Sequence, residues 1–267
     1  MRARGARGNR ATVAVATAVF VFEVLPILVI VSASFGTAAY VEVPPKGFTA
    51  DWYGRMFERG RYLEPMLLSF MIAGLAVGAS VIIAAPSAYA LARFKFRLRR
   101  VLDAFTLMPI IVPEIILAIA ILQLASFLGG YQSLALTVFG HTVLVFPFVL
   151  RTTVASLASL DPYVEEAAIG LGASRIIAFV RVVLPHARVG LIAGSLLGGI
   201  VSLDAFFMSM FLSNTQTLPV RIWEILRFDF SPAVLAISSV MIALTVPLLI
   251  VVERFVGLKS LVGAGAK

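Results

Sequence analysis

The 267-residue sequence predicts an all-α, polytopic membrane protein with six transmembrane helices and both termini cytoplasmic. Three observations carry that prediction. Hydrophobic residues make up 60% of the chain and charged residues 13%, against about 25% charged in an ordinary soluble domain. Long stretches hold no charge or a single acid, as insertion into lipid requires. The basic residues concentrate in alternate loops, which fixes a direction of insertion.

The nearly charge-free regions are Ala11 to Tyr40, interrupted by Glu23; Pro65 to Ala92; Ala104 to Leu150, interrupted by Glu114; Val189 to Val220, interrupted by Asp204; and Phe230 to Val252. A span needs about 20 apolar residues. The third region, as one helix, would reach roughly 70 Å at about 1.5 Å per residue, and it holds the turn signal Gly129-Gly130-Tyr131-Gln132-Ser133. It therefore divides in two. The spans expected are 11–34, 66–91, 102–124, 133–154, 189–211 and 233–255, forming a transmembrane domain over 11–256. A basic segment, 1–10, and a short tail, 257–267, flank it on the cytoplasmic side. The Arg-rich start imitates a secretory signal, with Ser32-Ala33-Ser34 as a small-residue site. The apolar stretch exceeds a signal core, however, and Glu23 with Leu25-Pro26 interrupts it, so an uncleaved first span is expected.

This topology places sixteen of the twenty-two Lys and Arg on one side: Arg2, Arg4, Arg7 and Arg10; Arg93, Lys95, Arg97, Arg99 and Arg100; Arg151, Arg175, Arg181 and Arg188; Arg254, Lys259 and Lys267. The positive-inside rule makes that side cytoplasmic. On the opposite side Lys46, Arg55, Arg59, Arg61, Arg221 and Arg227 are balanced by Glu42, Asp51, Glu58, Glu64, Glu224 and Asp229. The net charge of +8 is thus topological, and no soluble module is long enough for nucleic-acid binding. The absence of Cys removes thiol chemistry and disulfides, and two His leave little to build a metal site, so none is expected. No catalytic residue is assigned.

The sizeable polar segment on the cytoplasmic side, 156–188, reads as two short helices. Asp161 is an N-cap, Pro162 fits the first helical position, and Glu165 and Glu166 lie in the early turns where the helix dipole favours anions. Gly172 would end that helix; Ser174 would cap a second, Arg175 to Leu184, closed by Pro185. From these residues alone an amphipathic hairpin lying on anionic lipid is an equal reading.

Glu166-Ala167-Ala168, three residues, Gly172, nine residues, Val182, one residue, then Leu184-Pro185 resembles the EAA loop of ATP-binding-cassette importer permeases, with Val182 where the pattern usually has Ile. The likeness extends to Leu25-Pro26-Ile27, to Pro45 through Tyr53 in the first outer loop, to Pro113-Glu114-Ile115 and to Val201-Ser202-Leu203-Asp204-Ala205-Phe206, which look like the second permease subunit of the spermidine/putrescine-type branch. Many relatives carry an acid or amide where Ala205 stands. The resemblance implies the type I importer permease fold in a bacterial inner membrane, pairing with a second permease, docking on two ATPase subunits and an extracytoplasmic binding protein, and passage of a small solute. It implies a coupling helix in which Glu165, Glu166, Ala167, Ala168 and Gly172 act toward the ATPase. Glu166 would meet a basic residue there, the alanines would allow close packing, Gly172 would supply the bend, and Leu184-Pro185 would fix the exit into span five. No cofactor is expected on this chain, with ATP and Mg on the ATPase subunits. In keeping with that, the nearest approach to a phosphate loop, Gly257-Leu258-Lys259-Ser260, lacks the glycine before the lysine.

Ionisable groups within spans are functional candidates because lipid penalises them. Helix rise places Glu23 and Glu114 near mid-membrane and Asp204 in the outer half, roughly 20 Å in. Pro109 and Pro113 flank the turn of Glu114 and free carbonyls for a substrate or water. Phe206 and Phe207 beside Asp204 offer cation–π attraction. Glu114, Asp204, Phe206 and Phe207 are therefore the substrate-path candidates, with a polyamine-like organic cation as the leading cargo. The alternative reading has these acids bonded to backbone or to the sister permease, holding helices together. Glu23, beside Pro26, reads as a helix-shape residue. His141 reads as packing, His186 as interfacial, and Gly194, Gly198 and Gly199 as close helix approach. Trp52 and Trp223 suit the outer interfacial belt, and Ser213 to Ser231 a short gate helix.

Two other functions compete with this reading. An ion-coupled secondary transporter would use Glu114 or Asp204 and need no ATPase, but no inverted repeat is visible. An intramembrane hydrolase could draw on Ser80 of Gly78-Ala79-Ser80 and on His141, but nothing orients that pair.

Overall fold

The computed structural model describes residues 3–38, 40–57, 62–228 and 232–256; the tail expected at 257–267, including Lys259 and Lys267, and Glu58, Arg59, Arg61 and Asp229 lie outside them. Every described element is helical apart from an isolated bridge between Gly36 and Phe48. The helices are α1 (Ala3–Ala33), α2 (Asp51–Phe57), α3 (Leu63–Arg93), α4 (Arg99–Phe105), α5 (Met108–Ile111), α6 (Glu114–Phe127), α7 (Leu134–Ala158), α8 (Pro162–Gly170), α9 (Arg175–Ala178), a π-helical turn (Phe179–Val183), α10 (Leu184–Asp204), α11 (Phe206–Leu212), α12 (Leu218–Phe228) and α13 (Pro232–Val256). Five of these stretches are long and apolar enough to cross a membrane, and the bent pair Arg99–Ile111 with Glu114–Phe127 is a sixth candidate.

The chain divides into two units, Met1–Leu63 with Ile222–Ala243 and Glu64–Arg221 with Leu244–Lys267. In the first, the apolar window of α1 buries none of its residues within the chain, so its apolar surface is left for lipid or another subunit. The segment after α1 is pinned by polar tips of aromatic side chains. The Trp52 indole donates to the Gly36 carbonyl at 2.7 Å, and the Tyr53 hydroxyl shares a 2.7 Å hydrogen bond with Ser34. Arg55 lies 4.8 Å from the Trp52 ring centroid, as an interfacial aromatic with a cationic neighbour would.

In the second unit, α3, α7 and α10 share a core rich in small and β-branched residues, among them Ala76, Ala84, Ala88, Val145, Val149 and Ala187. Apolar lipid tails give helices no reason to associate, so close van der Waals approach and hydrogen bonds supply it. Gly190, Gly194 and Gly198 recur every fourth residue and form the contact face of α10. A Cβ on Gly190 would lie 2.3 Å from the Thr152 carbonyl oxygen, and one on Gly198 would lie 2.6 Å from a Val145 methyl. The Thr152 hydroxyl donates to the Gly190 carbonyl at 2.7 Å. Gly194 and Gly198 thus serve the close approach expected of them. Gly199 does not, its added Cβ meeting only Val77 at 3.7 Å.

Three expected elements are corrected. The single span 102–124 is instead α4, α5 and α6, with a 108° bend between the Arg99–Ile111 and Glu114–Phe127 parts. Pro113 forces the residue before it out of the helical region, and Val112 is extended (φ −74°, ψ 131°). The span 189–211 breaks at Ala205 (φ −65°, ψ 88°), so that α11 starts as a new helix. Lastly, Pro185 does not close a helix Arg175 to Leu184. The chain stays helical from Arg175 to Asp204, with the π-helical turn immediately before Leu184-Pro185. A proline lacks the N–H of the regular ladder and crowds the carbonyl four residues back, and the wider turn relieves both.

Candidate coupling loop and translocation path

The loop between α7 and α10 is built by caps. The Asp161 carboxylate accepts from the Tyr163 amide at 3.0 Å and Pro162 opens α8, while Ser174 accepts from the Ile177 amide at 3.3 Å to start α9. Between them Gly172 takes φ +95°, a conformation costly to residues with a Cβ. Its amide donates to the Ile169 carbonyl at 2.9 Å and the Ala173 amide to that of Ala168 at 3.1 Å, closing α8.

The two adjacent glutamates differ in burial. Glu165 is buried: the Tyr89 hydroxyl donates to its Oε1, and the Arg93 guanidinium lies 3.4 Å from its Oε2. Arg93 also donates to the Leu160 carbonyl at 3.0 Å, so one side chain ties both the end of α7 and the start of α8 to α3. Glu166 and Ala167 are exposed, Ala168 is half-buried, and exposed Tyr163, Val164, Ile169 and Leu171 surround them. Leu184 is half-buried and Pro185 exposed beside the buried Val183. Tyr89 and Arg93 were missed from sequence. Their signal is an aromatic and a cation four residues apart on one face at the basic end of a span.

The path candidates gather around the break at Ala205. The Glu114 carboxylate accepts from the Met208 amide at 2.8 Å, occupying one of the free donors in the first turn of α11. Asp204, the last residue of α10, is exposed. Phe206 and Phe207 are half-buried and meet edge to face, with ring centroids 5.1 Å apart. One oxygen of Glu114 is thus bonded to backbone.

His141, read from sequence as packing, lies buried beneath this break. Its Nδ1 is hydrogen-bonded to the Ser202 hydroxyl at 2.8 Å and its Nε2 to that of Ser209 at 3.2 Å, so α7 grips both sides of Ala205. The hydrolase pairing has no geometry to support it, because the Ser80 hydroxyl donates instead to the Thr142 carbonyl at 3.3 Å. A further clamp was also missed: Arg151 pairs with Asp103 at 2.7 Å and donates to the Thr106 hydroxyl at 2.9 Å, fixing α4 to α7. Ser213 to Ser231 contains the expected short helix as α12, with Arg227 4.7 Å from the Trp223 ring centroid.

Residues 76–258 match the family model of the binding-protein-dependent transport system inner membrane component. The chain is 30% identical over 237 residues to the spermidine/putrescine transport system permease protein PotC of Haemophilus influenzae, covering 87% of this chain and 91% of that one. It is 28% identical to the putrescine transport system permease protein PotI of Escherichia coli K12, covering 84% and 82%. Its fold matches a chain of a bacterial ABC transporter involved in the import of the acidic polysaccharide alginate, with a TM-score of 0.67 at 21% identity over 96% of this chain and 98% of that one. The sequence match across most of the chain and the shared helical fold together show that this protein belongs to the family of binding-protein-dependent transport inner membrane components, as a permease of an ABC importer.

Proposed function

We propose that this permease joins a second permease to form the path for a small organic cation of the polyamine class, delivered by an extracytoplasmic binding protein and driven by two ATPase subunits that hold the ATP and Mg. The chain itself is a non-catalytic subunit with both termini in the cytoplasm. In this reading α8 is the coupling helix. The supporting observation is the contrast between its two glutamates, one buried and bonded within the chain and the other exposed. One face of α8 is tied to α3 and α7 through Glu165, while the other offers Glu166, Ala167 and exposed apolar side chains to a partner. A helix held on one side and bare on the other can carry a partner's movement inward.

Glu166→Lys tests the docking. We expect the ATPase to be lost from the complex purified in mild detergent while the second permease is retained, because a charge reversal opposite a basic partner replaces attraction with repulsion. Full retention of the ATPase, by mass spectrometry of the purified complex, would remove the coupling assignment.

The cargo class rests on the exposed carboxylate of Asp204 beside Phe206 and Phe207, and on relatives named for spermidine and putrescine. Glu114 then shapes the path by holding α11, and Asp204 meets the cation. Asp204→Asn should lower uptake of radiolabelled spermidine by about tenfold or more, as the loss of one charge-assisted contact of about 1.5–3 kcal/mol predicts. ATPase co-purification should be unchanged. Wild-type uptake in the variant would exclude Asp204 from the path.

A further inference from the structure

From the end of α3 into the first turn of α4 the chain mixes apolar and cationic residues: Phe94, Lys95, Phe96, Arg97, Leu98, Arg99, Arg100, Val101 and Leu102. All nine are exposed. Lys95, Phe96, Arg97, Arg99, Arg100 and Asp103 line a single groove of about 590 Å³. Its one acid is already engaged, since Asp103 is the partner of Arg151. Among the described residues no carboxylate pairs with Lys95, Arg97, Arg99 or Arg100. Four cations around one concavity repel one another, and an anion between them relieves that repulsion.

We propose that this groove binds the phosphodiester headgroup of an anionic glycerophospholipid. The apolar neighbours choose lipid over a soluble anion. The segment leaves α3 at its last turn, where an apolar span ends. At that depth exposed Phe94, Phe96, Leu98, Val101 and Leu102 have acyl chains and glycerol backbones to cover them, while the cationic heads reach phosphate. A soluble phosphate would leave those side chains in water. The topological rule accounts for basic residues anywhere on this side of the membrane. It does not require four of them to share one groove free of neutralising acids.

The test uses the full chain in its purified complex. Native mass spectrometry in detergent titrates palmitoyl-oleoyl phosphatidylglycerol against palmitoyl-oleoyl phosphatidylcholine, with inorganic phosphate as a competitor. We expect preferential retention of phosphatidylglycerol. Arg97→Gln with Arg99→Gln should weaken it about 25-fold, at roughly fivefold for each cation near an anionic surface. The charge-conserving pair Arg97→Lys with Arg99→Lys should stay within about threefold of wild type, as should Arg181→Gln with Arg188→Gln, which removes the same charge elsewhere on the chain. Equal losses in both glutamine pairs would reduce the effect to diffuse charge and overturn the site. Displacement of the lipid by millimolar phosphate would make it a soluble-anion site instead. Unchanged lipid retention with the ATPase lost in the Arg97→Gln, Arg99→Gln pair would make the groove a protein-docking surface.

Discussion

Glu165→Ala is expected to leave a complex that still hydrolyses ATP but imports at least tenfold more slowly. The side chains of Glu165 and Arg93 are only 10% and 13% exposed. Truncating one partner of such a pair leaves an uncompensated buried charge, at a cost of about 3–5 kcal/mol. The Tyr89 hydroxyl loses its acceptor at the same time. The damage falls on the join between α8 and α3, while the exposed Glu166 is untouched. ATPase docking should therefore survive and transmission should not. Glu165→Gln keeps an acceptor for Tyr89 and much of the packing, so its uptake should lie between alanine and wild type. Tyr89→Phe, losing one hydrogen bond, should be milder than Glu165→Ala. Uptake and ATPase rates measured together in proteoliposomes decide the matter: wild-type uptake in Glu165→Ala would mean that α8 transmits nothing through α3.

Gly194→Leu should prevent accumulation of the folded permease. A Cβ there would lie 2.2 Å from the Thr152 hydroxyl, 2.5 Å from the Val149 Cα and 2.8 Å from the Phe148 carbonyl oxygen. Two of those atoms belong to the backbone of α7, which cannot rotate away as a side chain can. The helices must separate, losing the Thr152 to Gly190 hydrogen bond and the van der Waals contact that holds them. The penalty should exceed the about 1–3 kcal/mol typical of inserting methylenes into a packed core. Gly199→Ala is the mild counterpart: five residues further along α10 its Cβ meets only Val77, at 3.7 Å. Size-exclusion profiles and yields of the two variants should diverge; a monodisperse Gly194→Leu protein at wild-type yield would contradict the packing described.

The helices α1, α3, α7 and α13 fall on the charge-free regions because lipid imposes the same rule on every residue of a span, and that rule is visible one residue at a time. The EAA spacing likewise carried the family, which the sequence match supports. What was not legible depends on groups far apart in the chain. Pro113 announced a disturbance but not a 108° bend, because the direction taken after Val112 depends on what α4 and α6 pack against. Glu165 and Glu166 are chemically identical neighbours. Only the arrival of Tyr89 and Arg93 from another helix, 76 and 72 residues earlier, decides which one is internal. The backbone partner of Glu114 was not legible either, because the Met208 amide it accepts from is freed by the break at Ala205, itself hidden inside an apolar run.

The π-helical turn at Phe179–Val183 gives the length of the loop a meaning beyond reach. Each residue advances an α-helix by about 100°, and a π-helical turn holds one residue more than a regular turn. Removing one residue between Ser174 and Leu184 would let the turn relax to a regular helix with α9 and α10 still in step, but removing two would rotate them against each other by about 100°. The face of Gly190, Gly194 and Gly198 could stay on α7 only if the docking face of α8 swung away, or the reverse. The nine residues between Gly172 and Val182 are in this sense a phase setting, holding two helical faces in step as a keyway holds two gears on one shaft.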